Sequence, residues 1–118
     1  LAAKTIPPAW ATGGHWAPNA MEFYAGSQFP KEYQGDALVA YHGSWNSSLK
    51  VGYCVTRVLF DNGKPYGELK IVDFLARDGS VLGRPVDVAN TPDGSILISD
   101  DHGGKIYRLS YRSQNGTK

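Results

Sequence analysis

Apolar and polar residues alternate along this chain in short runs, no run keeps a helical period for long, and each is closed by a cluster of turn formers. The period of two predicts strands near residues 20–24, at 36–42, over 51–60 and over 68–75. The centre of the second, Leu38-Val39-Ala40, is apolar without a break and suits a buried position. Asp61-Asn62-Gly63 ends the third run and Arg77-Asp78-Gly79-Ser80 the fourth. From Gly83 to Tyr111 three further runs are joined by Pro92-Asp93-Gly94 and His102-Gly103-Gly104. These turn residues preset φ or allow positive φ where the chain reverses, so the stretch reads as most of one antiparallel sheet. Residues 1–14, with Pro7-Pro8, Trp10 and Gly13-Gly14, show no period and read as an extended connection into the first sheet.

The segments repeat. Pro18-Asn19-Ala20-Met21 corresponds to Pro85-Val86-Asp87-Val88, Gly35-Asp36-Ala37-Leu38-Val39 to Gly94-Ser95-Ile96-Leu97-Ile98, and Arg57-Val58 to Arg108-Leu109. The unit is roughly 50 to 65 residues long, in the range of β-propeller blades. Residues 15–80 make one blade with four strands, residues 81–111 a last blade that stops after three, and residues 112–118 a polar tail without apolar alternation. The expectation is therefore an all-β fold of about two antiparallel four-stranded blades, the second incomplete, forming the C-terminal part of a longer propeller. A small antiparallel sandwich is the competing reading.

Composition narrows the function. A chain of 118 residues can bury a core, and its 14 glycines and 7 prolines agree with many turns. Twelve basic residues against eleven acidic give a formal charge of +1, which offers no phosphate-tracking surface for nucleic acid. No apolar run reaches the ~20 residues of a membrane helix, and the first residues lack the regions of a signal peptide. The single cysteine, Cys54, sits in an alternating run and reads as a small buried hydrophobe. Asn46-Ser47-Ser48 and Asn115-Gly116-Thr117 match the glycosylation pattern.

Several landmarks fall in a characteristic order: His15-Trp16-Ala17-Pro18, Phe23-Tyr24, His42-Gly43-Ser44-Trp45-Asn46, Gly52-Tyr53, Asp73-Phe74-Leu75 and the block from Gly83 to Tyr111. In that order and spacing the chain resembles the glucose/sorbosone dehydrogenase family, six-bladed β-propellers that use pyrroloquinoline quinone (PQQ). The resemblance implies a quinoprotein that oxidises an aldose or sorbosone-like sugar at its anomeric carbon with hydride transfer to the quinone. It further implies calcium, bound mostly outside this chain, and a catalytic histidine from earlier blades. Its partners would be a sugar, an electron acceptor and the remaining blades, and its location periplasmic or extracellular. Two rivals remain: a propeller without cofactor that serves as a binding module, and a calcium-dependent propeller lactonase.

PQQ is a planar tricarboxylate, so a protein that holds it needs cations. The resemblance places cofactor-binding roles on Arg84, just before the innermost strand of the last blade, and on Lys50 in Leu49-Lys50-Val51-Gly52. Some relatives carry a second arginine two residues after the first, where Val86 stands here. His15, just before the first inner strand, is expected to line the pocket, His42 to be structural and His102 to be exposed. The histidines have no Glu or Cys partner at metal spacing, and the adjacent side chains of Asp100-Asp101 should point to opposite faces, so turn capping is expected rather than a cation site. Removing Arg84 should weaken PQQ binding and leave the melting of the apo form nearly unchanged.

Overall fold

The computed structural model of the chain describes residues 2–45 and 48–113. Asn46 and Asn115, the acceptors of the two glycosylation patterns, lie outside the described residues. Among these residues seven strands form: β1 (Pro18–Phe23), β2 (Ala37–Tyr41), β3 (Cys54–Asp61), β4 (Lys64–Asp73), β5 (Pro85–Asn90), β6 (Ile96–Asp100) and β7 (Lys105–Leu109). They pair antiparallel in chain order as two sheets, β1-β2-β3-β4 and β5-β6-β7. The expected all-β arrangement of four strands followed by three is what the chain adopts. No helix among the described residues is long and apolar enough to cross a membrane.

Asn62 (φ +50°) and Gly63 (φ +75°) turn β3 directly into β4. Two successive positive φ values are the geometry of a tight hairpin whose twist matches its strands. β4 accordingly begins at Lys64, ahead of the expected residue 68, because Pro65 and Gly67 are weak strand formers that hide the start. Pro65 is tolerated at an irregularity of the ladder, opposite Phe60. β3 begins later than expected, at Cys54, because Gly52 and Tyr53 both hold positive φ.

β2 does not alternate because it is covered on both faces. On one face Leu38, Ala40 and Val55 meet Val88, Ile96 and Ile98 of the second sheet, joined by Tyr24, Phe29, Tyr53 and Phe74 from the connections. Each large side chain buried there stabilises by about 1.5–3 kcal/mol. On the other face Ala37, Val39, Tyr41, Cys54 and Val58 form a second cluster with Trp16 and Phe60 against it. The connection of residues 9–12 crosses this face, pinned by Trp10 Nε1 donating to Glu68 Oε1 at 3.0 Å. Glu68 Oε2 accepts from Thr56 Oγ1 at 2.7 Å and from the Tyr41 hydroxyl. Burial first, and the Glu68 carboxylate second, push the Tyr41 phenol up to about 12.

An ion pair ties the loop before β2 to β3. Asp36 Oδ2 stands 3.0 Å from Arg57 Nε, without hydrogen-bond alignment, while Asp36 Oδ1 accepts from the Phe60 N–H at 2.9 Å. Arg57 also lies 4.0 Å over the Tyr33 ring. Ladder registers bring the start of β1, the end of β2 and the start of β3 to one end of the first sheet. They do the same for the start of β5, the end of β6 and the start of β7 in the second.

Candidate functional site

The two ends just described lie side by side, and their loops carry every side chain that the sequence marks for chemistry. The floor is a close crossing of backbones. His15 (φ +65°) and Ala17 (φ +55°) precede β1, Gly43 (φ +93°) follows β2, and Gly52 (φ +80°) and Tyr53 (φ +54°) precede β3. His42 N–H donates to the Ala17 carbonyl at 2.9 Å and Gly43 N–H to the Trp16 carbonyl at 3.0 Å. A Cβ on Gly43 would stand 2.4 Å from the Tyr53 ring, and one on Gly52 would stand 2.8 Å from the Trp16 oxygen. Only glycine admits the approach. Left-handed backbone at residues with a Cβ costs of order 1–3 kcal/mol each and persists where surrounding contacts over-determine it. Three of the four such non-glycine residues among the described residues, His15, Ala17 and Tyr53, meet at this end. The loop above is braced in turn by Ser44 N–H to the Val51 carbonyl at 2.9 Å, Val51 N–H to Ser44 Oγ at 3.1 Å and the Tyr53 hydroxyl on the Ser44 carbonyl.

Arg84 bridges the sheets here. Its backbone N–H donates to Asp100 Oδ1 at 2.8 Å, whereas its side chain leaves the second sheet to reach the first. Nε donates to the His42 carbonyl at 3.0 Å and Nη2 to the Gly43 carbonyl at 3.2 Å, with the guanidinium carbon 5.5 Å from the centre of the Tyr53 ring. Two of a guanidinium's five donors are engaged in this way. Asp100 is buried (3% exposed) and caps the turn after β6, its Oδ1 also accepting from the N–H groups of His102 at 2.9 Å and Gly103 at 3.1 Å. Burial alone would raise its pKa, but the backbone donors of Arg84, Gly103 and His102 together outweigh that and hold the carboxyl below its ordinary value. Asp101 points the other way and pairs its Oδ1 with His42 Nε2 at 2.8 Å.

The remaining candidates divide around this centre. His15 is exposed and lines a small cavity of about 240 Å³ with Ala17, Gly43, Ser44 and Trp45; Trp45 is 83% exposed. Arg84 and His15 thus converge on the same residue, Gly43. Lys50 turns instead to the loop after β4, where its Nζ donates to the Gly79 carbonyl at 3.3 Å. His102 is exposed. No three His, Cys, Asp or Glu side chains gather as an ion would require among the described residues. Cys54 is fully buried, and burial pushes its thiol up to about 12. The partnership of His42 with Asp101 and the ring of Tyr53 under Arg84 have no sequence signal beyond their positions at strand ends.

Relatives agree with this architecture. An uncharacterized protein of Borreliella burgdorferi is 44% identical over 112 residues, which is 92% of this chain and 29% of that protein. The holo form of the pyranose dehydrogenase PQQ domain from Coprinopsis cinerea aligns with a TM-score of 0.63 at 24% identity, over 82% of this chain and 27% of that one. The iodide and calcium structures of Trichoderma reesei Carbohydrate-Active Enzymes Family AA12 give 0.64 at 22% and 23% identity, over 80% of this chain and 24% of theirs. Identities this low show a common fold, and the chain spans less than a third of each of these relatives. A TrAA12-like family model matches residues 2–112, nearly the whole sequence, and the chain belongs to that family.

Proposed function

We propose that the chain is the C-terminal part of a six-bladed β-propeller, and that the complete protein is a PQQ-dependent sugar oxidoreductase of the sorbosone- or glucose-oxidising kind, acting in the periplasm or outside the cell. Family membership supports the cofactor class. A repeat within the chain supports the ring. The side chains by which the second sheet packs on the first, Val88, Ile96, Ile98, Tyr107 and Leu109, occupy the positions that Met21, Ala37, Val39, Thr56 and Val58 occupy in the first. Met21, Ala37, Val39 and Val58 line an apolar trough of about 520 Å³, which in this reading receives the preceding blade.

The observation that carries the cofactor reading is the guanidinium of Arg84, half-buried and fixed by two carbonyls, one of them that of Gly43, a residue that also lines the His15 cleft. A planar polycarboxylate needs such a fork, because charge-assisted bidentate bonds fix orientation as well as bind. Lys50 would supply a second cation as a point charge, and Val86 supplies none. Three carboxylates therefore draw at least one partner from outside this chain, as do the calcium ligands and the base that takes the sugar's hydroxyl proton. When bound, PQQ supplies the quinone that accepts hydride from the sugar. This chain's part is to bind a carboxylate at Arg84 and to shape the cleft with His15 and Trp45. The neutral residue at Val86 also favours a second reading, a cofactor-free binding module.

Titrating the apo form of the complete protein with PQQ tests both. Arg84→Ala should weaken binding by about 2–5 kcal/mol, tens- to thousands-fold, and Arg84→Lys should recover part of it. Equal half-saturation for wild type and Arg84→Ala removes Arg84 from the site. No binding by the wild type favours the module.

A further inference from the structure

We infer that Trp45 is the stacking platform of a sugar subsite, with His15 as the polar partner in the cleft they share. The inference deepens the proposed function and rests on it, since it takes the substrate of the complete protein to be a sugar. Its first support is the way the indole is presented. Trp45 is 83% exposed, yet the residue before it, Ser44, is buried and bonded at every polar group. Ser44 N–H donates to the Val51 carbonyl at 2.9 Å, Ser44 Oγ accepts from the Val51 N–H at 3.1 Å, and the Ser44 carbonyl accepts from the Tyr53 hydroxyl. That carbonyl shares its peptide plane with the Trp45 N–H, so the backbone that carries the indole is held while the side chain stands in water. A lone exposed apolar residue is ordinary, but one on a fixed backbone at the rim of a cleft is preorganised for a ligand.

The second support is the chemistry of the lining. Among the described residues the cleft of about 240 Å³ is lined by His15, Ala17, Gly43, Ser44 and Trp45, with no lysine, arginine, aspartate or glutamate. Such a lining suits a neutral ligand better than an anionic one. A pyranose is neutral and has two kinds of surface, hydroxyls at the rim and C–H bonds on the ring face. The C–H face packs on an indole, whose π-face is electron-rich, and the hydroxyls need the donor and the acceptor that the two ring nitrogens of a histidine supply. His15 is held there with φ +65°, a left-handed conformation of the kind that clusters at ligand sites. Gly43 joins the cleft to the proposed cofactor partner, because its carbonyl accepts from Arg84 Nη2 at 3.2 Å. A neutral subsite and the charge proposed for a cofactor carboxylate thus adjoin at one residue, as an oxidation that passes between sugar and quinone requires.

The experiment uses the complete protein loaded with PQQ and, from a panel of aldoses and sorbosone, the sugar that the wild type oxidises best. KM and kcat are measured beside the PQQ half-saturation and melting temperature of the apo form. Trp45→Ala should raise KM about tenfold, the loss expected of one aromatic stack, and lower kcat much less, while PQQ half-saturation and melting stay near those of the wild type. Trp45→Phe keeps a ring and should recover most of the KM; Trp45→Leu keeps only apolar bulk and should recover little. His15→Asn, which tolerates the left-handed backbone and stays polar, should raise KM less than His15→Ala. A wild-type KM in Trp45→Ala, or equal KM values for the Phe and Leu variants, overturns the inference alone. A PQQ half-saturation in Trp45→Ala that rises as much as KM also overturns it, since the indole then serves the cofactor. A wild type that oxidises no sugar on the panel overturns the reading on which the inference rests, and the inference with it.

Discussion

Arg84 should matter to the apo protein, which the resemblance alone did not anticipate. Its side chain leaves the second sheet and satisfies two carbonyls of the first, at 3.0 and 3.2 Å. Truncation to alanine strands both acceptors at the junction of the sheets. A buried acceptor left unpaired costs about 1–3 kcal/mol, and water reaching this half-buried place pulls the figure towards about 1 kcal/mol for each. Loss of the guanidinium from the Tyr53 ring adds about 0.5–1 kcal/mol. The expected cost is about 2–4 kcal/mol, so the apo form of Arg84→Ala should melt a few degrees below the wild type and unfold at lower urea. Arg84→Met separates the causes, since its unbranched stem keeps packing on Tyr53 but donates nothing; it should recover only the smaller part. Urea titration followed by tryptophan fluorescence is the assay. Apo Arg84→Ala unfolding with the wild-type midpoint and slope would refute the clamp and restore the expectation that this arginine serves the ligand alone.

Asp36→Ala should destabilise by about 3–5 kcal/mol in the same assay, because it leaves the buried Arg57 without its counter-ion, while Asp36→Leu with Arg57→Met should recover much of that loss. Asp100 gives a pH dependence: its native pKa lies below the ordinary carboxylate value, so its stabilisation is present above about pH 4 and lost as pH falls through the native pKa. Asp100→Asn should therefore be less stable than wild type at pH 7, with the gap closing in acid, and a gap that is constant with pH would count against the capping role.

Strands were legible where apolar positions alternate, as in β6, which buries Ile96 and Ile98 more deeply than their neighbours, or run unbroken, as in β2, whose burial on both faces leaves Leu38-Val39-Ala40. Boundaries failed where local preference and pairing disagree. Pro65 and Gly67 read as breakers, yet the hairpin at Asn62-Gly63 sets a register that carries them into β4 regardless. Val51-Gly52-Tyr53 reads as strand by alternation, yet the crossing under Trp16 holds Gly52 and Tyr53 at positive φ.

The site was legible to a different depth. Arg84 and His15 stand out in sequence because each precedes an inner strand, and the fold brings both to Gly43. What no side-chain pattern announces is a bond to a carbonyl, since every residue carries one. The partners of Arg84 in the first sheet are carbonyls 42 and 41 positions away, and the pairing of His42 with Asp101 spans 59. Those contacts explain why arginine stands at residue 84. A lysine there could carry the charge to an anion, but a single ammonium cannot hold two carbonyls of one sheet and keep a flat edge free for a carboxylate in the same plane. In the proposed reading one residue thus joins two tasks, docking the sheets and presenting the fork, and a lysine would serve neither of them in full.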